Sequence, residues 1–95
     1  MSQLSSMLGT HKAVMFSWVS CPYCVRAEKL LRPMTNDFKI YHVDQMSEGE
    51  ALRKEIYEKY QHETVPAIFI NGKFVGGCSD VEQLDCEGRL APLLA

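Results

Sequence analysis

The chain has 95 residues, 46% of them hydrophobic, and a formal net charge of −2. Domains typically hold about 100–150 residues, so a single domain over residues 1–95 is expected. The low charge without a run of one sign argues against nucleic acid or an anionic membrane surface as partner, and the apolar runs fall far short of the roughly 18 residues of a membrane span.

The first ten residues, Met1 to Thr10, have no basic cluster, no long apolar stretch and no arginine, so neither a secretory signal nor a transit peptide is expected. Leu4, Met7 and Leu8 lie at helical spacing and Gly9 can end that turn. Ala13 to Trp18 is an apolar run of the fully buried strand type. After Cys21 and Cys24, Val25 to Leu31 is helix-forming with apolar positions on one side, and Pro33 marks its approximate end. Phe38 to Val43 reads as a second strand. Ser47 followed by Glu50 is a capping box opening a helix through Leu52, Ile56 and Tyr60.

Val65-Pro66 leads into a third strand, Ala67 to Ile70. Asn71-Gly72 is a strong hairpin signal, returning the chain as Lys73 to Val75. Gly76-Gly77 turns it again. Ser79 and Glu82 form a second capping box for a helix containing Val81 and Leu84, and Gly88 separates a short tail helix ending near Leu94. Two strands joined by a helix should be parallel through a right-handed crossover, and the last two form an antiparallel hairpin. The fold class is α/β: a mixed four-stranded sheet flanked by helices on both faces.

Of the four cysteines, Cys21 and Cys24 are close in sequence while Cys78 and Cys86 are apart. With no secretory signal, a cytoplasmic, reducing setting is expected, where a close pair signals metal or redox chemistry. Cys21 follows a strand and Pro22 suits the first position of a helix, which makes Cys21 the N-cap. There the unpaired backbone N–H groups and the helix dipole favour thiolate over thiol. A free cysteine titrates near about 8.5, and such a setting can lower this to roughly 3.5–7.5. Only the thiolate attacks a disulfide. Cys24, one turn on and flanked by Val25, can close a disulfide with Cys21 and should be more buried and less acidic. Cys21 is thus the nucleophile and Cys24 the resolving thiol. Arg26 and Lys29 can add positive charge nearby.

A zinc site is the rival reading of the pair. It fits poorly: seven residues separate Cys78 from Cys86, no histidine joins them at ligand spacing, and Pro22 suits a helix start. No metal is therefore expected.

Cys21-Pro22-Tyr23-Cys24 after the first strand, Thr64-Val65-Pro66 before the third, and Gly76-Gly77-Cys78-Ser79-Asp80 before a late helix together resemble a dithiol glutaredoxin over the whole chain. The resemblance implies a thioredoxin fold, a cis peptide before Pro66, a monomer, and glutathione as co-substrate with no tightly bound cofactor. It implies a glutathione site of Tyr23, Arg53, Thr64, Val65, Pro66, Gly77, Cys78, Ser79 and Asp80, with the Val65 backbone pairing the cysteinyl unit. Read physically, Ser79 as an N-cap offers outward N–H groups to a carboxylate, Gly76 and Gly77 allow close backbone approach, and Asp80 can pair with an ammonium. A glycine turn into a capped helix explains the glycines and Ser79 equally well.

Two positions depart from the family pattern. Trp18 stands where many members carry lysine, and Glu63 where the residue is often basic, although Arg53 can partly compensate. These changes suit a thiol whose glycine end is amidated and positively charged. The stretches Trp18 to Cys24 and Met46 to Glu50 resemble dithiol glutaredoxins of trypanosomatids, whose cell thiol is trypanothione. The expected reaction is reduction of glutathione–protein mixed disulfides and protein disulfides. The alternatives are an iron–sulfur carrier holding a cluster with Cys21 and glutathione, and a thioredoxin, which lacks its Trp-Cys-Gly-Pro-Cys run here. Cys78 is read as a packing residue, Cys86 as an exposed thiol, and His11, His42 and His62 as surface or strand residues.

Overall fold

The structure, a computed structural model, describes residues 3–94, so both ends of the expected 1–95 domain lie outside it. The chain runs α1 (Gln3–Leu8), β1 (Ala13–Ser17), α2 (Pro22–Leu31), β2 (Phe38–His42), a 3₁₀ turn (Val43–Gln45), α3 (Gly49–Tyr60), β3 (Ala67–Ile70), β4 (Lys73–Gly76), α4 (Cys78–Cys86) and α5 (Leu90–Leu94). The sheet order is β2-β1-β3-β4. β1 pairs parallel with β2 and antiparallel with β3, and β3–β4 is the antiparallel hairpin. Asn71 and Gly72, with φ of 54° and 78°, supply the two left-handed residues its tight turn needs.

Strand periodicity divides the core into two layers. On one face, Ala13 and Met15 of β1 and Ile68 and Ile70 of β3 pack with Leu31 of α2 and Val81 of α4. On the other, Val14 and Phe16 meet Ala67 and Phe69 beneath Leu4 of α1 and Ile56 of α3. Both central strands are buried throughout, which fixes their register, since a slip of one residue would exchange the layers. No helix among the described residues is long and apolar enough to cross a membrane.

Four local expectations are corrected. β1 ends at Ser17, leaving Trp18 in the turn before α2. Val43 leaves β2 to open the 3₁₀ turn, where its side chain is buried. α3 starts after Glu48 rather than at a Ser47 box, because the Ser47 hydroxyl donates to the Glu48 carboxylate at 2.6 Å. α4 is capped by Gly77, not Ser79. There the Asp80 carboxylate accepts the Gly77 N–H at 2.8 Å, and Glu82, the expected partner of Ser79, is engaged by Arg26 instead.

Candidate functional site

The turn after β1 delivers Cys21 to the start of α2 in an extended conformation, φ −103° and ψ 112°, with Pro22 as the first helical residue. Proline needs no hydrogen-bond acceptor there and its ring presets φ. The Cys24 N–H points back and donates to Cys21 Sγ at 3.2 Å. On its other side Cys21 Sγ lies 3.9 Å from the Val65 carbonyl oxygen. The Val65–Pro66 peptide is cis.

The two sulfurs differ in setting. Cys21 is 8% exposed and lines the cleft, whereas Cys24 is 3% exposed and faces the core. Burial pushes the Cys24 thiol up to about 11; the hydrogen bond with Cys21 adds to the rise and Ser17 opposes it. Val25 does not shield Cys24 as expected, for it points outward; Ala27 and Leu31 share the buried face. All four cysteines are free thiols.

The cleft above Cys21 encloses about 890 Å³. The turn 62–66 forms one wall, with Thr64, Val65 and Pro66 lining it as expected. The start of α4 forms the other, through Gly77, Cys78, Ser79 and Asp80. Helix geometry leaves the first-turn amides there without an intrahelical acceptor. Tyr23 stands at the rim, 59% exposed. Gly76 has φ +135°, and a Cβ on it would collide with the Asp80 carboxyl, so glycine is required by the backbone. A Cβ on Gly77 would meet only ordinary contacts near 3.5 Å.

Arg53 lies outside this cleft, against its outer wall beside Glu63, Thr64 and Val65. Its guanidinium sits 4.7 Å from the centre of the Trp18 ring, a cation–π contact, and Trp18 itself lines the cleft. Lys29 is not part of the lining.

Two lining residues, His62 and Glu82, were not expected in the site, and Arg26 was expected only as a nearby positive charge. His62, read as a surface residue, donates from Nε2 to the Pro66 carbonyl at 3.1 Å and packs its ring on Phe74. Arg26 and Glu82 meet across the cleft mouth at 2.7 Å. Only the folded approach of α2 to α4 reveals that pair, because its members stand 56 positions apart in sequence. Cys21, backed by Cys24, faces an opening bounded by backbone donors, an arrangement able to exchange disulfides.

A family model described as glutaredoxin matches residues 13–75. The human mitochondrial glutaredoxin-2 is 36% identical over 93 residues, covering 98% of this chain and 57% of its own length. Rice glutaredoxin-C6 is 43% identical over 81 residues, covering 85% and 72%. The chain thus spans less than three fifths of the human relative. Among solved structures, a dithiolic glutaredoxin of Trypanosoma brucei brucei superposes with a TM-score of 0.94 at 63% identity, covering 100% of this chain and 98% of that one. A buckwheat glutaredoxin in complex with glutathione gives a TM-score of 0.90 at 32% identity, covering 95% and 82%.

Proposed function

The chain belongs to the glutaredoxin family, and on that premise we propose that it is a glutathione-dependent thiol–disulfide oxidoreductase acting through Cys21 and Cys24. The observation that carries the reading is the Cys24 N–H donated to Cys21 Sγ at a helix start opening on the cleft. A donor aimed at sulfur stabilises negative charge on it, and the charged sulfur is the nucleophile.

In the proposed reaction the Cys21 thiolate attacks the glutathione sulfur of a protein–glutathione disulfide. The S–S bond breaks, the protein leaves as thiolate and takes a proton from water, and Cys21 holds glutathione. A second glutathione thiolate attacks that disulfide, releasing glutathione disulfide and returning Cys21. In net, the protein–glutathione disulfide and one glutathione become the protein thiol and glutathione disulfide. With a protein disulfide, Cys24 resolves the first mixed disulfide. Its thiol, held up to about 11, keeps its proton at neutral pH and does not compete for the first attack; that proton goes to the leaving thiolate.

The same reading assigns the γ-glutamyl carboxylate to the first-turn amides of α4 around Gly77, Cys78 and Ser79, and the cysteinyl unit to the Val65 backbone. Asp80 spends one oxygen on the Gly77 N–H, leaving the other for the substrate ammonium. Tyr23 covers the thiol, Thr64 and Pro66 shape the wall, and Arg53 attracts the glycine end. Trp18 and Glu63 beside that end, with Arg53 drawn onto the Trp18 ring, support trypanothione as a reductant better suited than glutathione. A monomer in the cytoplasm completes the proposal. Several relatives bear mitochondrial names. The family matches do not favour the iron–sulfur carrier over this chemistry.

The test is turnover of a glutathione–cysteine mixed disulfide with glutathione or trypanothione as reductant. Turnover that requires either thiol, and is faster with trypanothione, is expected. Turnover independent of both would point to a thioredoxin-like enzyme.

A further inference from the structure

Three carboxylates line the cleft, Glu63, Asp80 and Glu82, against one arginine or lysine among the described residues, Arg26. That arginine is not turned towards Cys21. Its Nη2 donates to both carboxylate oxygens of Glu82, at 2.9 and 2.7 Å, and its Cζ lies 5.7 Å from the Tyr23 ring centre. One guanidinium therefore ties the helix bearing both active thiols to the helix whose first turn forms the opposite wall, and also stands over the rim tyrosine.

Resting on the oxidoreductase reading above, we propose that Arg26 is a positioning residue that neutralises Glu82 at the cleft mouth and fixes Tyr23 beside the thiol, so that an anionic substrate meets a neutral wall. The electrostatics of the neighbouring thiol agree. Burial first, then the Glu82 charge, pushes Cys78 up, and Arg26 opposes that rise. Both charges are thus felt inside the cleft. The pair itself is half exposed, with side chains 57% and 39% accessible, so its worth to global stability is small. Its effect lies in what an approaching carboxylate encounters.

The charge logic makes the two partners unequal. Arg26→Gln strips the counter-charge and leaves Glu82 facing the substrate. Glu82→Gln leaves a free guanidinium that attracts the substrate. Were the bridge only a brace between two helices, both single variants would do equal harm.

The experiment is steady-state turnover of the glutathione–cysteine mixed disulfide by the full chain, at low and raised salt. R26Q should raise KM about two- to fivefold, the scale of one partly exposed charge, with kcat less affected, and added salt should shrink the rise. E82Q should lower KM, and R26Q/E82Q should return KM towards wild type. The proposal is overturned if E82Q raises KM as R26Q does, or if the double variant is no better than R26Q. If R26Q does not fold, E82Q alone decides, because a KM that fails to fall contradicts the charge account. Failure of the wild-type chain to turn over the substrate would overturn the oxidoreductase reading and this proposal with it.

Discussion

The start of α2 and the start of α4 open on the same cleft, yet they are finished by different atoms. α2 is capped by the side chain of Cys21, whose sulfur receives the Cys24 amide. α4 is capped by Gly77, which has no side chain, and the acceptor for its N–H comes from Asp80, three residues on. Helix starts share the same surplus of N–H donors and the same partial positive charge. A sulfur placed in that field becomes a reagent. Where glycine stands instead and the carboxylate sits to one side, the donors themselves stay open to the cleft.

The largest expected effect comes from removing the sulfur alone. Cys21→Ser should reduce turnover of a glutathione mixed disulfide to background while leaving the melting temperature unchanged or raised, because serine is a good N-cap. Activity and thermal melting on one preparation check this. A matching fall in stability would mean that Cys21 packs rather than reacts.

At the other helix start, Gly76→Ala should destabilise the fold by about 1–3 kcal/mol, since alanine pays for the positive φ and its Cβ strikes the Asp80 carboxyl. Urea unfolding measures it, and a neutral result would contradict the backbone constraint on the cleft-facing turn.

Cys24 carries a pH signature of its own. Its folded thiol titrates near about 11 against an ordinary 9.0, so the folded state retains a proton that the unfolded chain gives up. The stabilisation this brings is complete below pH 9 and is lost as pH rises towards 11, of the order of 2 kcal/mol by linkage. Reduced wild type should lose that much across the window, and Cys24→Ser should not. The same variant should keep mixed-disulfide turnover and lose reduction of protein disulfides.

The smallest effect probes the borrowed acceptor. Asp80→Ala should cost about 1 kcal/mol, the usual worth of a helix cap, and raise KM for glutathione mixed disulfides. Asp80→Asn, which keeps an acceptor oxygen, should recover most of the stability but not the KM.

The mixed four-stranded sheet and the α2 start were legible because their signals are local, whereas the thioredoxin fold came from the family resemblance. The continuous apolar run Ala13 to Phe16, proline after Cys21, and Asn71-Gly72 each act within a few residues. The α3 and α4 boxes misled for a physical reason: a serine hydroxyl bonds whichever acceptor is nearest, and Ser47 found the Glu48 carboxylate. At α4 the glycine two residues earlier was already the cap. His62 and the Arg26–Glu82 pair were not legible, because their partners arrive from distant segments or from a backbone carbonyl. Arg53 shows the same limit, its charge being drawn onto Trp18 across 35 residues of chain.

The most direct test of the central claim is site-resolved alkylation of the reduced protein at pH 7, in a Cys86→Ser background that removes the exposed fourth thiol. The account predicts that iodoacetamide modifies Cys21 first and nearly alone, with Cys24 following only as the pH approaches about 11. Equal or earlier labelling of Cys24 would contradict it.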